Sequence, residues 1–264
     1  MRSVIPWTAI EDSLNDASSN GHKEIAHILL RLGASLGINV PESSYGKALQ
    51  TASTKGHQEI VQLLLDWGVD IDAFGGAYGS ALQAAAAGGH QEIVQILLDR
   101  GAYTNAWDDT SNSALQAAAA GGHRKIVEIL LDQGADINAQ GGTYGSALQA
   151  AAARGHREIV EILLGQGADI NAALHAAAAG GHQEVVEMLL EKGADDRRGD
   201  ALFVASLEGY KEIVERLLQE EVDHHILQNA AHIALRKNHV DIYQMIRHKS
   251  PSKSWKQDYV VYDS

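Results

Sequence analysis

A Gly-His pair recurs along the chain at Gly21-His22, Gly56-His57, Gly89-His90, Gly122-His123, Gly155-His156 and Gly181-His182. Degenerate copies follow at Gly209-Tyr210 and Asn238-His239, and the intervals run 35, 33, 33, 33, 26, 28 and 29 residues. The flanks repeat with it. Residues 79–106 read GSALQAAAAGGHQEIVQILLDRGAYTNA and residues 145–172 read GSALQAAAARGHREIVEILLGQGADINA. A period of this length marks one supersecondary unit that cannot bury its apolar face alone. It must stack on neighbours, so the core runs along an array.

Each unit reads as helix, turn, helix, loop. Ser80, Ser113 and Ser146 stand before an Ala-Leu-Gln-Ala-Ala run, where a hydroxyl can cap the first helix. Ala and Leu favour that helix, and Gly-Gly-His interrupts it. The second helix carries Ile93, Val94, Ile96, Leu97 and Leu98 on one side and Gln91, Glu92, Gln95 and Asp99 on the other. Gly101, Gly134 and Gly167 then stop it. Alanine runs such as Ala84–Ala87 and Ala117–Ala120 predict close packing of adjacent first helices.

Composition narrows the chemistry. The chain has no cysteine, which excludes disulfide frameworks, thiol catalysis and Cys-ligated zinc. No stretch nears 18 apolar residues, and none reads as a secretory signal. The formal charge of −13 opposes binding to phosphate backbones and suits partners with basic patches. These features predict a cytoplasmic or nuclear protein with no nucleic-acid or membrane partner. We expect it to be a monomer.

The residues Leu115-Gln116-Ala117-Ala118, Gly122-His123 and Gly134-Ala135-Asp136-Ile137-Asn138-Ala139 resemble the ankyrin repeat. That family's pattern is Thr-Pro-Leu-His-x-Ala-Ala, Gly-His, then Gly-Ala-Asp-x-Asn-Ala. The match spans about residues 8–249. The family's Thr-Pro becomes Ser-Ala, and its motif His becomes Gln at Gln50, Gln83, Gln116 and Gln149. Gln keeps a donor and an acceptor and can tie one repeat to the next. The Gly-Gly-x-Tyr-Gly-Ser-Ala-Leu-Gln-Ala-Ala variant is similar to ankyrin arrays of filamentous fungi. Those often trail a nucleotide-binding signalling module, which this chain lacks. The resemblance implies an all-α ankyrin-repeat solenoid of eight helix-turn-helix repeats, with β-hairpin-like fingers in the full-length ones. The repeats fall near 8–40, 44–74, 77–107, 110–140, 143–171, 172–198, 199–226 and 227–249, and 250–264 form a tail. It also implies protein–protein recognition rather than catalysis, with no cofactor.

After the fifth repeat the units shorten. The missing residues are the fingers, and Asn171, Asp200 and Asn229 remain to cap the first helices. Asn15, Asp16, Ser18 and Ser19 replace alanines in the first unit, as a solvent-facing end requires. The tail holds Trp255, Tyr259, Val260, Val261 and Tyr262, and either is disordered or covers the last repeat.

Candidate binding residues cluster on the fingers of repeats two to five. Phe74, Tyr78, Trp107 and Tyr144 fall at or beside finger tips, with Asp108 and Asp109 next to Trp107. Aromatics are favoured interface anchors, and small residues at Ala87-Gly88 and Ala120-Gly121 would leave room below them. Tyr45, Tyr78 and Tyr144 recur in register and equally suit packing of finger on finger. Lys55, Arg154 and Glu208 occupy the place that Gly88 and Gly121 hold elsewhere. Arg154 suits a partner's carboxylate, or else is a solvated charge.

The histidine ladder His57, His90, His123 and His156 steps by roughly 10 Å, the helix-packing distance, too far to share a zinc ion. Each histidine is expected to bond within its own turn. His175 and His232 match the family's motif His and are expected to be structural. The Gly-rich segment 75–80 precedes a helix as a phosphate loop does, but it recurs at 141–146 and reads as a finger turn. The leading expectation is a scaffold binding a protein or peptide on the fingers and first-helix face of repeats two to five. Two other readings stand beside it. One is a spacer or regulatory arm of a larger signalling protein. The other is a small-molecule or catalytic pocket near the irregular repeats six to eight.

Overall fold

A computed structural model describes residues 7–35, 42–74, 79–106, 112–170 and 172–249. Among them lie sixteen α-helices in eight consecutive pairs. The pairs are α1 (Trp7–Asn20) with α2 (Lys23–Ser35), α3 (Glu42–Lys55) with α4 (Gln58–Asp66), and α5 (Ala81–Gly88) with α6 (Gln91–Asp99). Next come α7 (Ala114–Gly121) with α8 (Arg124–Asp132) and α9 (Ala147–Ala153) with α10 (Arg157–Gly165). The last are α11 (Ala173–Ala179) with α12 (Gln183–Glu191), α13 (Asp200–Glu208) with α14 (Lys211–Leu217), and α15 (His224–Arg236) with α16 (Val240–Lys249). No described helix is long and apolar enough to cross a membrane.

The chain divides into two compact units, one of residues 1–151 with 156–169, the other of 152–155 with 170–264. In the first, α5 packs between α3 and α7, and α6 between α4 and α8. The core follows from the repeat. The second helices α4, α6, α8 and α10 bury Ile, Val and Leu at i, i+1 and i+4: Ile93, Val94 and Leu97 in α6, Ile126, Val127 and Leu130 in α8. Burying each such side chain stabilises by about 1.5–3 kcal/mol. The first helices α5 and α7 bury an almost unbroken alanine face, Ala81 to Ala86 in α5 with Leu82 and Gln83 among them.

The capping serines act as the sequence predicts. Ser80 Oγ accepts from Gln83 N at 3.3 Å, and Gln83 Oε1 accepts from Ser80 N at 2.6 Å, a reciprocal capping box. Ser113 and Gln116 form the same box, and Ser146 accepts from Gln149 N. The finger that follows α8 closes through an antiparallel pairing of Gly141 with Gly145.

The shortened repeats are capped differently from expectation. Asn171 lies outside the described residues. Asp200 is already the first residue of α13, and Asp196 caps that helix instead, its carboxylate accepting from Ala201 N at 3.0 Å and Leu202 N at 2.9 Å. Asn229 sits inside α15, which starts at His224. Ile226 and Leu227 are buried in register with Ala230, Ala231 and Ala234, so the apolar spacing carries the helix past the expected cap. The side chain of Ile226 rests against Gly199, at the turn into α13. Tyr45 likewise lies in the first turn of α3 rather than on a finger.

Candidate functional site

Three hydrogen-bond ladders position the surface of the first unit. Gln50 inside α3, and Gln83 and Gln116 of the two capping boxes, also reach the next loop. Gln50 Nε2 donates to Ala73 O at 3.0 Å and Gly79 O at 2.8 Å. Gln83 Nε2 donates to Ala106 O at 2.8 Å, and Gln116 Nε2 to Ala139 O at 3.0 Å and Gly145 O at 2.9 Å. The substitution of Gln for the family's His thus ties fingers to helices, as the sequence suggests.

A second ladder joins the loops at their bases. Asp72 Oδ1 accepts from Tyr103 N at 2.9 Å, Asn105 Oδ1 from Asp136 N at 2.8 Å, and Asn138 Oδ1 from Asp169 N at 2.9 Å. Asn105 Nδ2 also donates to Gly134 O at 3.1 Å, and Asn112 Oδ1 accepts from Thr143 N at 3.1 Å. Every rung crosses from one repeat to the next.

The histidine ladder is the third, and it corrects the sequence reading. Each ring bonds the preceding repeat, not its own turn. His57 Nε2 meets Ser19 O at 3.0 Å, His90 meets Thr54 O at 2.9 Å, His123 meets Ala87 O at 3.2 Å and His156 meets Ala120 O at 3.1 Å. A carbonyl only accepts, so Nε2 carries the hydrogen in each. The second unit repeats the bond with His182 to Ala153 O and His239 to Leu207 O. The partner carbonyls are those left open at the first helices' C-terminal ends. A Cβ at Gly88 would stand 2.6 Å from the His90 ring and 2.9 Å from Thr54 O, and one at Gly121 would run into His123. The ladder itself does not demand a small residue there, since Lys55 and Arg154 hold the same place before His57 and His156, which make the same bond.

From this framework a few large side chains emerge. Phe74 is 44% exposed at the end of its loop. Tyr103, 62% exposed, replaces the Asp of the Gly-Ala-Asp pattern, and Trp67, 38% exposed, follows α4. Sequence reasoning passed over both. The break in Gly-Ala-Asp at Tyr103 was the available signal. Tyr144 is half-buried and not without a partner. Tyr78, Trp107, Asp108 and Asp109 lie outside the described residues. Arg154 is exposed just after α9 but belongs to the second unit, and it too has a partner. Lys55 and Glu208 are exposed at the ends of α3 and α13.

Among the described residues no three His, Asp or Glu side chains converge to hold a metal ion. The second unit has an open depression of about 850 Å³ beside Leu174, His175, Asp195, Asp196, Arg198 and Asp200. Arg197 pairs with Asp195 there. Burial raises the Asp196 carboxyl above its ordinary value; its two backbone hydrogen bonds oppose the shift and Asp200 adds to it. His175 and His232 are exposed rather than built into a bond, because the loops their position would hold are missing.

A family model described as ankyrin repeats (3 copies) matches residues 11–75, 76–141 and 142–200. A crystal structure of the human ASB11 ankyrin repeat domain superposes with a TM-score of 0.66 at 26% identity, covering 79% of this chain and 97% of that one. A search of curated proteins found no match.

Proposed function

Since the chain belongs to the ankyrin-repeat family, whose repeats generally mediate protein–protein interaction, we propose that its first unit is a preorganised recognition surface for a protein or peptide. Ankyrin-repeat proteins are typically non-enzymatic. The observation that carries the proposal is the exposure of Phe74 and Tyr103 on loops locked to one another through Asp72 and Tyr103 N. Exposed aromatics on a rigid base bind with little loss of conformational freedom. Tyr78, Trp107, Asp108 and Asp109 extend this surface on the sequence alone, with Tyr144 at its edge. Arg154 is proposed as an ionic contact of the second unit. The chain's acidity favours partners with a basic patch.

The test is capture of partners from the source cells by the full chain and by Phe74→Ala, Tyr103→Ala and Trp107→Ala, singly and combined. We expect the triple variant to weaken the captured complex at least about tenfold, near 1.4 kcal/mol, as truncated interface anchors do. The melting curve of the Phe74→Ala, Tyr103→Ala pair should stay close to that of the parent, because exposed substitutions away from special features each shift stability by about 0.5 kcal/mol or less. Undiminished capture would move the binding surface off these loops.

A further inference from the structure

The first helices of the second unit lack the cover that loops give their counterparts. Seven residues before each ladder histidine, Gln50, Gln83 and Gln116 are 4%, 1% and 2% exposed beneath the loops they bond. In the second unit the same register holds His175, Phe203 and His232. All three are exposed, and Phe203, a wholly apolar side chain, is 42% exposed on α13. A strip built to lie under a segment of chain is therefore bare.

A segment of the right kind starts beside it. Lys249, the last residue of α16, lines an open depression of about 380 Å³ with Glu220, Val222, His224 and Leu227, at the N-terminal end of α15. Residues 250–264, SPSKSWKQDYVVYDS, continue from that rim. They carry Trp255, Tyr259, Val260, Val261 and Tyr262, and their two lysines balance their two aspartates. A segment of balanced charge meets no net repulsion from Asp195 and Asp200, which line the depression beside Leu174 and His175.

We propose that residues 250–264 lie across the loop-free face of α13 and α15 and set their aromatic side chains against Phe203, in the place of the missing fingers. Reach permits it. Fifteen residues extend to about 50 Å, and neighbouring helices stand roughly 10 Å apart, so the segment spans both helices with length to spare. Tethering favours it over a free partner of equal affinity, because a short linker holds the segment at an effective concentration near millimolar. Aromatic pairing with Phe203 adds to the area buried. The proposal is independent of the recognition surface of the first unit.

The absence of cysteine allows a single nitroxide to be placed at Ser254→Cys in the full chain. We expect it to broaden the amide signals of Asp200–Leu207 and His224–Gln228, and Phe203→Ala or Trp255→Ala to relieve that broadening. A mixed sample of spin-labelled chain and isotope-labelled chain should show none. Broadening confined to the last turn of α16 would overturn the proposal, and broadening in the mixed sample would replace the tail with a second copy. Ending the chain after Lys249 should raise hydrogen exchange in α13 at least about tenfold while α5–α8 stay unchanged. Equal exchange with and without the segment would leave the face free for another protein and would also overturn the proposal.

Discussion

At the scale of single residues, the fold is held by polar groups that find partners one repeat away. The exceptions are instructive. Ser18, Ser53 and Ser206 replace alanine four residues before the ladder position, and their hydroxyls are buried without a hydrogen-bond partner. An orphaned buried hydroxyl costs about 1–3 kcal/mol. Ser53→Ala should therefore raise the free energy of unfolding by about 1 kcal/mol in urea titration, and a loss of stability would show that the hydroxyl is satisfied. Asp196 yields a signed prediction. Burial raises its folded-state pKa above the unfolded value, so its contribution to stability is fully present at low pH and is lost as pH rises through the folded value. Asp196→Asn does not titrate. The stability of the parent relative to this variant should fall as pH rises from about 3 toward neutrality, and a flat difference would refute the shift. The capping serines and the tying glutamines were legible in the sequence, because their partners sit three residues away or at a fixed offset in the next repeat. The histidine bond was misassigned to its own turn, because sequence shows the period but not which carbonyl of the preceding repeat the ring faces.

At the scale of elements, the Gly-His turn is a joint shared by two repeats. Gly89 has φ 76°, and a Cβ there would stand 2.5 Å from Cε1 of His123. Gly101 has φ 88° with nothing within 4 Å of its Cβ position. The two glycines thus separate backbone strain from packing. Gly101→Ala should cost about 1 kcal/mol, the left-handed penalty alone. Gly89→Ala should cost at least about 1 kcal/mol more, because the ring must move off its carbonyl. Equal losses in thermal or chemical melts would show that the ring moves freely. The same reasoning locates the limits of element prediction. Helix ends were readable where Ser and Gln stood in capping order. They were missed where Asp196 reached past three residues to cap α13, and where buried Ile226 and Leu227 extended α15 upstream of Asn229. Both errors arise where deletion of a finger leaves tertiary contacts to choose the helix start.

At the scale of the whole molecule, the two units differ in how many ladders their described residues carry. Unit one has all three: histidine to carbonyl, glutamine to loop, and Asp or Asn to loop. Unit two keeps the histidine ladder, and even there Tyr210 holds its ring over Gly181 without a hydrogen bond among the described residues. The glutamine register is filled by His175, Phe203 and His232, which stay exposed. In a repeat array, stability is the sum of what each repeat contributes and what its neighbours add. Each net hydrogen bond adds about 1 kcal/mol, and a missing rung between repeats weakens the neighbour term directly. Native-state hydrogen exchange should therefore show the highest protection in α5–α8. Amides of α13–α16 should exchange at least about tenfold faster, equivalent to about 1.4 kcal/mol less opening free energy. Replacing Gln83 and Gln116 by Ala should bring α5–α8 toward the level of the second unit. If protection were uniform from the start, alanine and leucine packing alone would hold the repeats. The rigidity invoked for Phe74 and Tyr103 would then lose its physical basis, since it depends on loops that cannot open independently of the helices beneath them.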